Sequence, residues 1–225
     1  MHLKLNAYSS TYSSCINKTD CKPNRLRRCR AILLTCILRR LDSEAAAAVT
    51  RLKRFRAIRD ATFFSLLFDT GARAADALKL KLGDVAVHNK AVTVHFRVTK
   101  MLKNKPHVCR LEQQNAGLAN SAWRIQDLVN LIDSGVSGVT KQAYLFNSGL
   151  SAKAAFHVQS SGAFARRLKR LLPKKSKHTL HSFRVAAAND ILSLTGSEEV
   201  TRVALGWKSK SMVKCYTRLC EKKTK

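Results

Sequence analysis

One stretch of this chain alternates apolar and polar residues, and it limits the folds that the chain can adopt. The apolar positions of the stretch are Val92, Val94, Phe96 and Val98. A period of two predicts a half-buried strand over residues 91–98, and the residues at 103–106 predict a turn into a return strand over 107–111. Most other apolar residues recur at helical spacing. We therefore expect an α+β, mainly helical domain with one small antiparallel sheet.

The helical segments are marked by their spacing and their ends. Leu52, Phe55 and Ile58 lie three residues apart on one face, and Gly71 and Gly196 follow apolar segments in the position of a helix end. We expect one helix to start at Ser43, a second to cover 51–59, and a third to start at Asp60 and end before Gly71. Further helices are expected over 122–132, 160–172, 180–194 and 208–219, and another is expected to start at Ser197.

The charge of the chain indicates its class of partner. The 225 residues include 42 Lys and Arg against 14 Asp and Glu, which gives a formal net charge of +28. Because 45% of the residues are hydrophobic, the chain can bury a core and is not a disordered basic tail. Such a surface attracts polyanions, so nucleic acid or an acidic membrane face is the default partner, and ribosomal or packaging proteins have the same balance. No run of about 18 apolar residues predicts a transmembrane helix.

The cysteines favour a reducing compartment. Their number is odd, and neither a paired CxxC motif nor a Cys/His array at zinc spacing is present. The seven are Cys15, Cys21, Cys29, Cys36, Cys109, Cys215 and Cys220. We interpret them as free thiols of an intracellular protein in a compartment that contains DNA, not of a secreted one.

Common catalytic motifs are missing from the sequence. We find no glycine-rich phosphate loop, HExxH or GxSxG, and few acidic residues are available for a two-metal nuclease. We therefore expect neither a metal nor a cofactor. Phosphodiester chemistry without metal needs cations around the non-bridging oxygens, a proton shuttle and a nucleophilic side chain.

Two segments of the first half supply cations of this kind. Thr70-Gly71-Ala72-Arg73 ends one helix and places Arg73 at the start of the next, with Asp76 three residues later. An arginine there can present a bidentate fork to phosphate, although an ordinary surface ion pair has the same spacing. Lys100 follows the alternating strand beside Lys103 and Lys105, and a hairpin lysine is commonly just solvated.

Two segments of the second half supply a proton shuttle and a nucleophile. His181 and Arg184 lie three residues apart on one helix face, so a group that titrates near neutrality neighbours a permanent cation. Trp207 follows a Leu-Gly pair, and Tyr216 lies on a helix rich in lysine. Taken singly, both aromatic residues are also compatible with simple packing.

Together these segments resemble the catalytic domain of the tyrosine recombinases of phage integrase type. That family carries Arg, Lys, His-x-x-Arg, His or Trp, and Tyr in this order. Here 27 residues separate Arg73 from Lys100, 23 separate Arg184 from Trp207, and nine separate Trp207 from Tyr216. The resemblance extends from about residue 43 to 219, and the tryptophan is similar to the Cre-like branch.

The resemblance implies a mechanism and a role for each residue. Tyr216 would attack the scissile phosphate and leave a 3′-phosphotyrosyl enzyme, while Arg73, Arg184 and Trp207 contact the non-bridging oxygens. His181 would assist deprotonation of Tyr216, and Lys100 would protonate the leaving 5′-oxygen. Asp76 would orient Arg73 or His181. Neither ATP nor metal is then required.

The remaining cations are expected to bind the DNA backbone. The candidates are Arg51, Lys53, Arg54, Arg56, Arg166, Arg167, Lys169, Arg170, Lys174, Lys175, Lys208 and Lys210.

The chain is expected to divide at residue 42. Residues 1–42 form a basic arm or the remnant of a core-binding domain, and residues 43–225 form the catalytic domain. The family implies double-stranded DNA and a homo-tetramer on paired sites as partners, with no membrane. Two alternatives stay open: relaxation of DNA in the manner of a type IB topoisomerase, and a non-catalytic DNA-binding remnant.

Overall fold

The computed structural model describes residues 25–88, 91–97, 107–113 and 120–221, with side chains from residue 34 to residue 217. The helices of these ranges are α1 (Arg25–Ala46), α2 (Arg51–Thr70), α3 (Ala74–Ala77), α4 (Ser121–Gly135), α5 (Ala152–Ala155), α6 (Ser161–Leu171), α7 (Leu180–Thr195), α8 (Glu198–Ala204) and α9 (Lys210–Glu221). The strands are β1 (Val85–His88), β2 (Ala91–Phe96) and β3 (His107–Glu112), and a 3-10 turn (Leu82–Asp84) precedes β1. The expected fold class, mainly helical with a small antiparallel sheet, is confirmed.

The sheet is antiparallel with strand order β1-β2-β3. The predicted pair of strands is present, and its register places Val94 opposite Cys109 and Phe96 opposite His107. The sequence reading missed β1, because only Val85 and Val87 alternate over its four residues. Lys100 and the predicted turn at 103–106 lie outside the described residues.

Two predicted helix starts are wrong. Ser43 does not begin a helix but lies near the end of α1, and α2 begins after Thr50, whose side-chain oxygen accepts a hydrogen bond from the amide of Lys53. Asp60 does not begin a helix either, because α2 runs through it without a break. The buried carboxylate of Asp60 is neutralised by Arg59 and Arg167, so the helix can continue into the core.

Helix α1 crosses the expected domain boundary at residue 42. Leu34, Ile37, Leu38 and Leu41 of this helix are buried and pack into the same core as α2. The division of the chain into an arm and a catalytic domain stays a prediction.

The buried apolar residues form two clusters. The first cluster contains most of them, and Phe63 of α2 lies at its centre, with ring centroids 4.0 Å from Phe164 and 5.1 Å from Phe146. The second cluster is smaller and consists of Ala187, Ala188, Ile191, Ala204, Leu205, Trp207 and Val213. It joins the C-terminal helices α7, α8 and α9, so the end of the chain packs as a unit beside the first cluster.

Two further observations concern membrane-spanning helices and the cysteines. Within the described ranges, no helix combines the length and the apolar character that a membrane crossing needs. Cys36, Cys109 and Cys215, whose side chains are described, are free thiols.

Candidate active site

Three segments of the chain lie close together at Gly71, the residue that ends α2. Its φ of 61° lies in the left-handed region that glycine adopts without strain, and its amide donates to the carbonyl of Leu67. A Cβ atom at this position would lie 2.6 Å from Cδ2 of Leu205 and 2.7 Å from Cβ of Ala187. Glycine is therefore required here on two grounds, and its absence of a side chain lets the end of α2 contact α7 and the turn after α8.

Arg184 of α7 connects the same segments. The guanidinium is buried, and it donates from Nη1 to the carbonyl of Gly71 at 2.7 Å and from Nη2 to the carbonyl of Leu205 at 2.8 Å. Both carbonyls lie at the C-terminal ends of helices, where the backbone carries partial negative charge and the last carbonyls lack partners within the helix. Arg184 thus holds the ends of α2 and α8 together, while its buried Nε has no hydrogen-bond partner.

A second guanidinium lies close to the first. Arg73 precedes α3 and pairs with Asp76, the distance from Nη1 to Oδ2 being 3.7 Å. Burial and the charge of Arg73 lower the pKa of Arg184 to about 10, although Tyr216 and Asp76 act in the opposite direction. Arg184 therefore remains charged near neutral pH. Burial raises the pKa of Asp76, and its neighbouring cations partly offset that rise. Two cations and one carboxylate leave this point of the fold positive.

Three rings cover the positive point. Trp207 is fully buried. Its ring centroid lies 4.7 Å from that of Tyr216, and the guanidinium carbon of Arg184 lies 5.2 Å from the centroid of the Trp207 ring. The ring of His181 lies 5.3 Å from that of Tyr216. The indole Nε1 of Trp207 is buried without a hydrogen-bond partner. In the described part of the chain, four buried side-chain nitrogen or oxygen atoms have no hydrogen-bond partner. Two of them, Nε of Arg184 and Nε1 of Trp207, belong to this cluster, and both are donors.

The protonation state of His181 follows from its neighbours. Burial lowers its pKa below the ordinary value of 6.5, and the charges of Arg184 and Arg73 lower it further. The imidazole is consequently neutral near pH 7 and can accept a proton from a hydroxyl beside it.

The structure brings together six of the predicted site residues, although their sequence positions span more than half the chain: Arg73, Asp76, His181, Arg184, Trp207 and Tyr216. Lys100 lies outside the described residues. No group of His, Cys, Asp and Glu that could hold a metal ion occurs among the residues that the structure describes.

One residue of the site was missed by the sequence reading. Burial lowers the pKa of His107, the first residue of β3, and the nearby charge of Arg184 lowers it further. The alternating pattern predicts a strand at His107, but nothing in the sequence indicates that this strand begins near Arg184.

Five of the cations predicted to bind DNA line one groove, and four of them are exposed while the fifth, Arg167, is partly buried. Lys53 and Arg56 come from the first turns of α2, and Arg166 and Arg170 come from α6, on the two sides of a groove of about 610 Å³. All four are exposed, and no described carboxylate pairs with them.

Arg167 differs from the four exposed cations because its side chain is partly buried and paired with carboxylates. Its guanidinium pairs with Glu44 and, through Nε at 3.1 Å, with Asp60, which also binds Arg59 at 2.7 Å. This partly buried network joins α1, α2 and α6, so Arg167 contributes first to the packing of the helices.

The other predicted DNA-binding residues lie outside this groove. Arg51 donates to Ser134 at 3.0 Å, and Lys210 lies 3.8 Å from Glu199. The remainder are exposed: Arg54, Lys169, Lys174, Lys175 and Lys208.

Known structures share this fold. The recombinase XerH, in a post-cleavage complex with a palindromic difH substrate, matches 92% of this chain and 52% of its own, with a TM-score of 0.61 and 16% sequence identity. XerH in a pre-cleavage complex with difH gives a TM-score of 0.59 at 18% identity, over 85% of this chain and 50% of its own. The XerA recombinase gives 0.55 at 21% identity, over 80% of this chain and 56% of its own. The chain thus spans about half the length of the recombinases that it matches.

The sequence also matches the family model of the phage integrase family over residues 39–223. No curated protein gives a significant sequence match. The family model covers the second cluster of the core, most of the first and every described residue of the site, and it agrees with the fold that XerH and XerA share. The chain belongs to the phage integrase family.

Proposed function

We propose that this protein cleaves and rejoins double-stranded DNA at specific sites through a covalent bond between Tyr216 and a 3′-phosphate. The observation that carries the proposal is the pair of buried donors without partners, Nε of Arg184 and Nε1 of Trp207, beside the ring of Tyr216. Buried donors normally have acceptors, and a phosphate group between them would supply acceptor oxygens. A scissile phosphate bound there would have the Tyr216 hydroxyl as its neighbouring nucleophile.

The chemistry follows from this arrangement. The Tyr216 oxygen attacks phosphorus, the bond from phosphorus to the 5′-oxygen breaks, and the hydroxyl proton passes to His181, whose pKa is lowered by burial and by two arginines. Arg73 and Arg184 meet the charge that develops on the non-bridging oxygens. Lys100 protonates the departing 5′-oxygen, as the family resemblance implies. Attack by a 5′-hydroxyl on the phosphotyrosyl bond reverses these steps and rejoins the strand, so ATP and metal are not required.

The groove between α2 and α6 is the proposed contact with the DNA backbone beyond the cleavage point. From Arg56 to Gly71 the helix α2 advances 15 residues, which is about 22 Å at 1.5 Å per residue. At about 3.4 Å per base pair, this length corresponds to roughly six or seven base pairs. Exposed lysines at 174, 175 and 177 lie in the segment that joins α6, one side of the groove, to α7, which carries His181, and they add positive charge to that segment.

A covalent trap tests the reaction. Duplexes that the protein selects from a random pool would be rebuilt with a nick, so that the cut fragment diffuses away and the protein stays attached to the DNA. We expect a denaturant-resistant adduct from the wild type and none from Tyr216→Phe. Tyr144→Phe is the matched control, because the Tyr144 ring contacts Lys81, which is not a candidate site residue. Absence of an adduct from a wild-type protein that binds the duplex would leave only DNA binding.

A second assay separates the two cleavage activities. A topoisomerase of type IB relaxes supercoiled plasmid of any sequence as a monomer, whereas a recombinase exchanges strands between two paired sites. We expect recombinant products only when both sites are present, from a homo-tetramer assembled on them. Relaxation of a plasmid that lacks the site would favour the topoisomerase.

The groove is tested by the salt dependence of binding. Each phosphate contact contributes about −0.9 to the slope of log K against log salt concentration. We expect Arg166→Gln with Arg170→Gln to reduce that slope by about 1.8 if both side chains contact phosphates. Arg167→Gln is the comparison, since its charge is already paired, and it should lower stability without changing the slope. Equal slopes for the double variant and the wild type would place the DNA elsewhere.

A further inference from the structure

Arg202 of α8 makes three hydrogen bonds that the mechanism proposed above does not use. Its Nη1 donates to the carbonyl of Trp207 at 2.9 Å. Its Nε and Nη2 donate to the two carboxylate oxygens of Glu199, at 3.0 Å and 2.5 Å. Each of the three nitrogens of the guanidinium therefore has an acceptor within the chain, and only 26% of the side chain is exposed.

Trp207 is bound by the main chain of Arg202 as well as by its side chain. The amide of Trp207 donates to the carbonyl of Arg202 at 2.8 Å. Both backbone polar groups of Trp207 are thus hydrogen-bonded to this one residue. Because the two bonds act on the amide and on the carbonyl of the same residue, they restrict rotation of the backbone at Trp207.

The turn after α8 is held by two arginines. The φ of Gly206 is 60°, so the chain leaves the helix direction between Leu205 and Trp207. Arg184 of α7 binds the carbonyl of Leu205 at 2.8 Å, and Arg202 binds the carbonyl of Trp207. Carbonyls that follow the last turn of a helix lack intrahelical donors, and arginine side chains commonly supply them. Arg184 and Arg202 therefore fix the two ends of a turn of three residues.

Glu199 holds the guanidinium of Arg202 in the orientation that this turn needs. A bidentate pair between arginine and a carboxylate fixes the plane of the guanidinium. The hydrogen bonds from Arg202 keep the pKa of Glu199 below its ordinary value of 4.5, so the carboxylate is ionised near neutral pH. Lys210 lies 3.8 Å from the same carboxylate. Because exposed ion pairs contribute little to stability, the pair serves to orient Arg202 more than to stabilise the domain.

We propose that Arg202 is a positioning residue, which holds the backbone of Trp207 so that the indole Nε1 is directed at the scissile phosphate. The inference rests on the proposed function. The indole is fully buried, and its Nε1 has no partner within the protein, so a shift of the backbone at Trp207 would displace this donor. Arg202 does not itself contact the phosphate in this arrangement, since its nitrogens bind Glu199 and Trp207.

The kinetic test compares Arg202→Ala with Arg202→Lys, which keeps a charged donor. Adduct formation would be measured in a single turnover at saturating duplex and well below the melting temperature of each variant. A small displacement of groups that position substrate can lower a rate by up to about 100-fold. We therefore expect a loss of about tenfold to 100-fold in Arg202→Ala and partial recovery in Arg202→Lys. Equal rates in Arg202→Ala and the wild type would overturn the proposal.

Arg110→Ala is the matched control for these variants. Arg110 is an exposed arginine that pairs with Glu112 of its own strand at 3.3 Å, so its removal also breaks an ion pair between residues close in the chain. We expect its rate to equal that of the wild type. Glu199→Gln changes only an exposed side chain and covers the case in which Arg202→Ala does not fold. It should lose rate in the same direction but less, and an unchanged rate would reject the role of the pair.

The salt dependence of binding separates positioning from a direct contact with DNA. If Arg202 acts only through Trp207, Arg202→Ala should bind the duplex with the affinity of the wild type and with the same slope of log K against log salt concentration. A slope reduced by about 0.9 would show that Arg202 contacts a phosphate, and it would overturn the proposal.

A double-mutant cycle tests the route through the indole. Arg202→Ala should cost less in a Trp207→Phe background than in the wild type, since the effects of residues in one hydrogen-bonded network are not additive. Equal fold losses in the two backgrounds would mean that Arg202 does not act through Trp207.

A measurement that is independent of activity keeps the two proposals distinguishable. In a Trp123→Phe background the fluorescence comes from Trp207, since the chain has two tryptophans. We expect acrylamide to quench Trp207 more strongly in Arg202→Ala than in Arg110→Ala. If the wild type forms no adduct, the proposed reaction fails, whereas equal quenching in the two variants rejects the role of Arg202 whether or not the adduct forms.

Discussion

Substitution of Gly71 by alanine should damage both stability and chemistry, and the structure gives the size of the effect. The backbone at φ 61° costs an alanine about 1–2 kcal/mol. The new Cβ would also lie 2.7 Å from Cβ of Ala187, which can move only with the backbone of α7, and overpacking of this kind costs about 1–3 kcal/mol. We expect a total loss of about 2–5 kcal/mol in the free energy of unfolding.

Gly196 is the matched control for this substitution. It ends α7 with a φ of 63°, but no atom lies within 4 Å of the position that its Cβ would occupy. Gly196→Ala should therefore lose only about 1–2 kcal/mol. Urea denaturation followed by circular dichroism measures both variants. Covalent adduct formation at low temperature should fall in Gly71→Ala alone, because the carbonyl of Gly71 anchors Arg184. Equal losses of stability in the two variants would refute the contact with Ala187 as the cause.

Three further predictions concern protonation and hydrogen bonding. Burial raises the pKa of Asp69 to about 7, so its stabilising contribution is complete below its unfolded pKa of 3.8 and is lost as the pH rises through 7. Asp69→Asn, which can still accept from the amide of Ser121, should thus melt at a higher temperature than the wild type near pH 8 and at a similar one near pH 4. The rate of adduct formation should increase with pH through the pKa of His181, which lies below 6.5. His181→Gln should lower this rate by about 100-fold or more and abolish its dependence on pH. If the variant retains the pH dependence, His181 is not the base. Trp207→Phe should slow the single-turnover rate more than Trp207→His, which keeps a ring N–H, and equal rates would remove the indole donor from the mechanism.

The sequence was sufficient to predict the elements whose pattern is local. The alternation around Phe96 predicted β2, and the glycines at 71 and 196 marked the ends of α2 and α7. The order and spacing of the candidate residues predicted a common site, and the structure brings Arg73, Arg184 and Tyr216 into one cluster. These properties depend on residues that are near each other in the chain or on motifs short enough to recognise.

The contacts that hold the site together could not be predicted in this way. Arg184 binds backbone carbonyls 113 and 21 residues away, and a carbonyl has no signature in the sequence. An acidic residue is common at a helix start and Asp60 is therefore predicted to begin a helix, but its tertiary pairing with Arg167 allows it in the middle of α2. His107 is a further case, since the charge of Arg184, which lowers the pKa of its imidazole, comes near it only in the folded chain.

The small size of the second cluster has a consequence for local unfolding. The helix that carries Tyr216 is anchored by Val213, Trp207 and a few alanines, whereas α2 is surrounded by the large first cluster. Helices with few buried apolar contacts open locally at a lower free energy than the whole domain unfolds. Amide hydrogens of α9 should accordingly exchange with solvent faster than those of α2. Because a phosphate bound by Arg73 and Arg184 would link the two units from opposite sides, DNA should slow exchange in α9 more than in any helix of the first cluster.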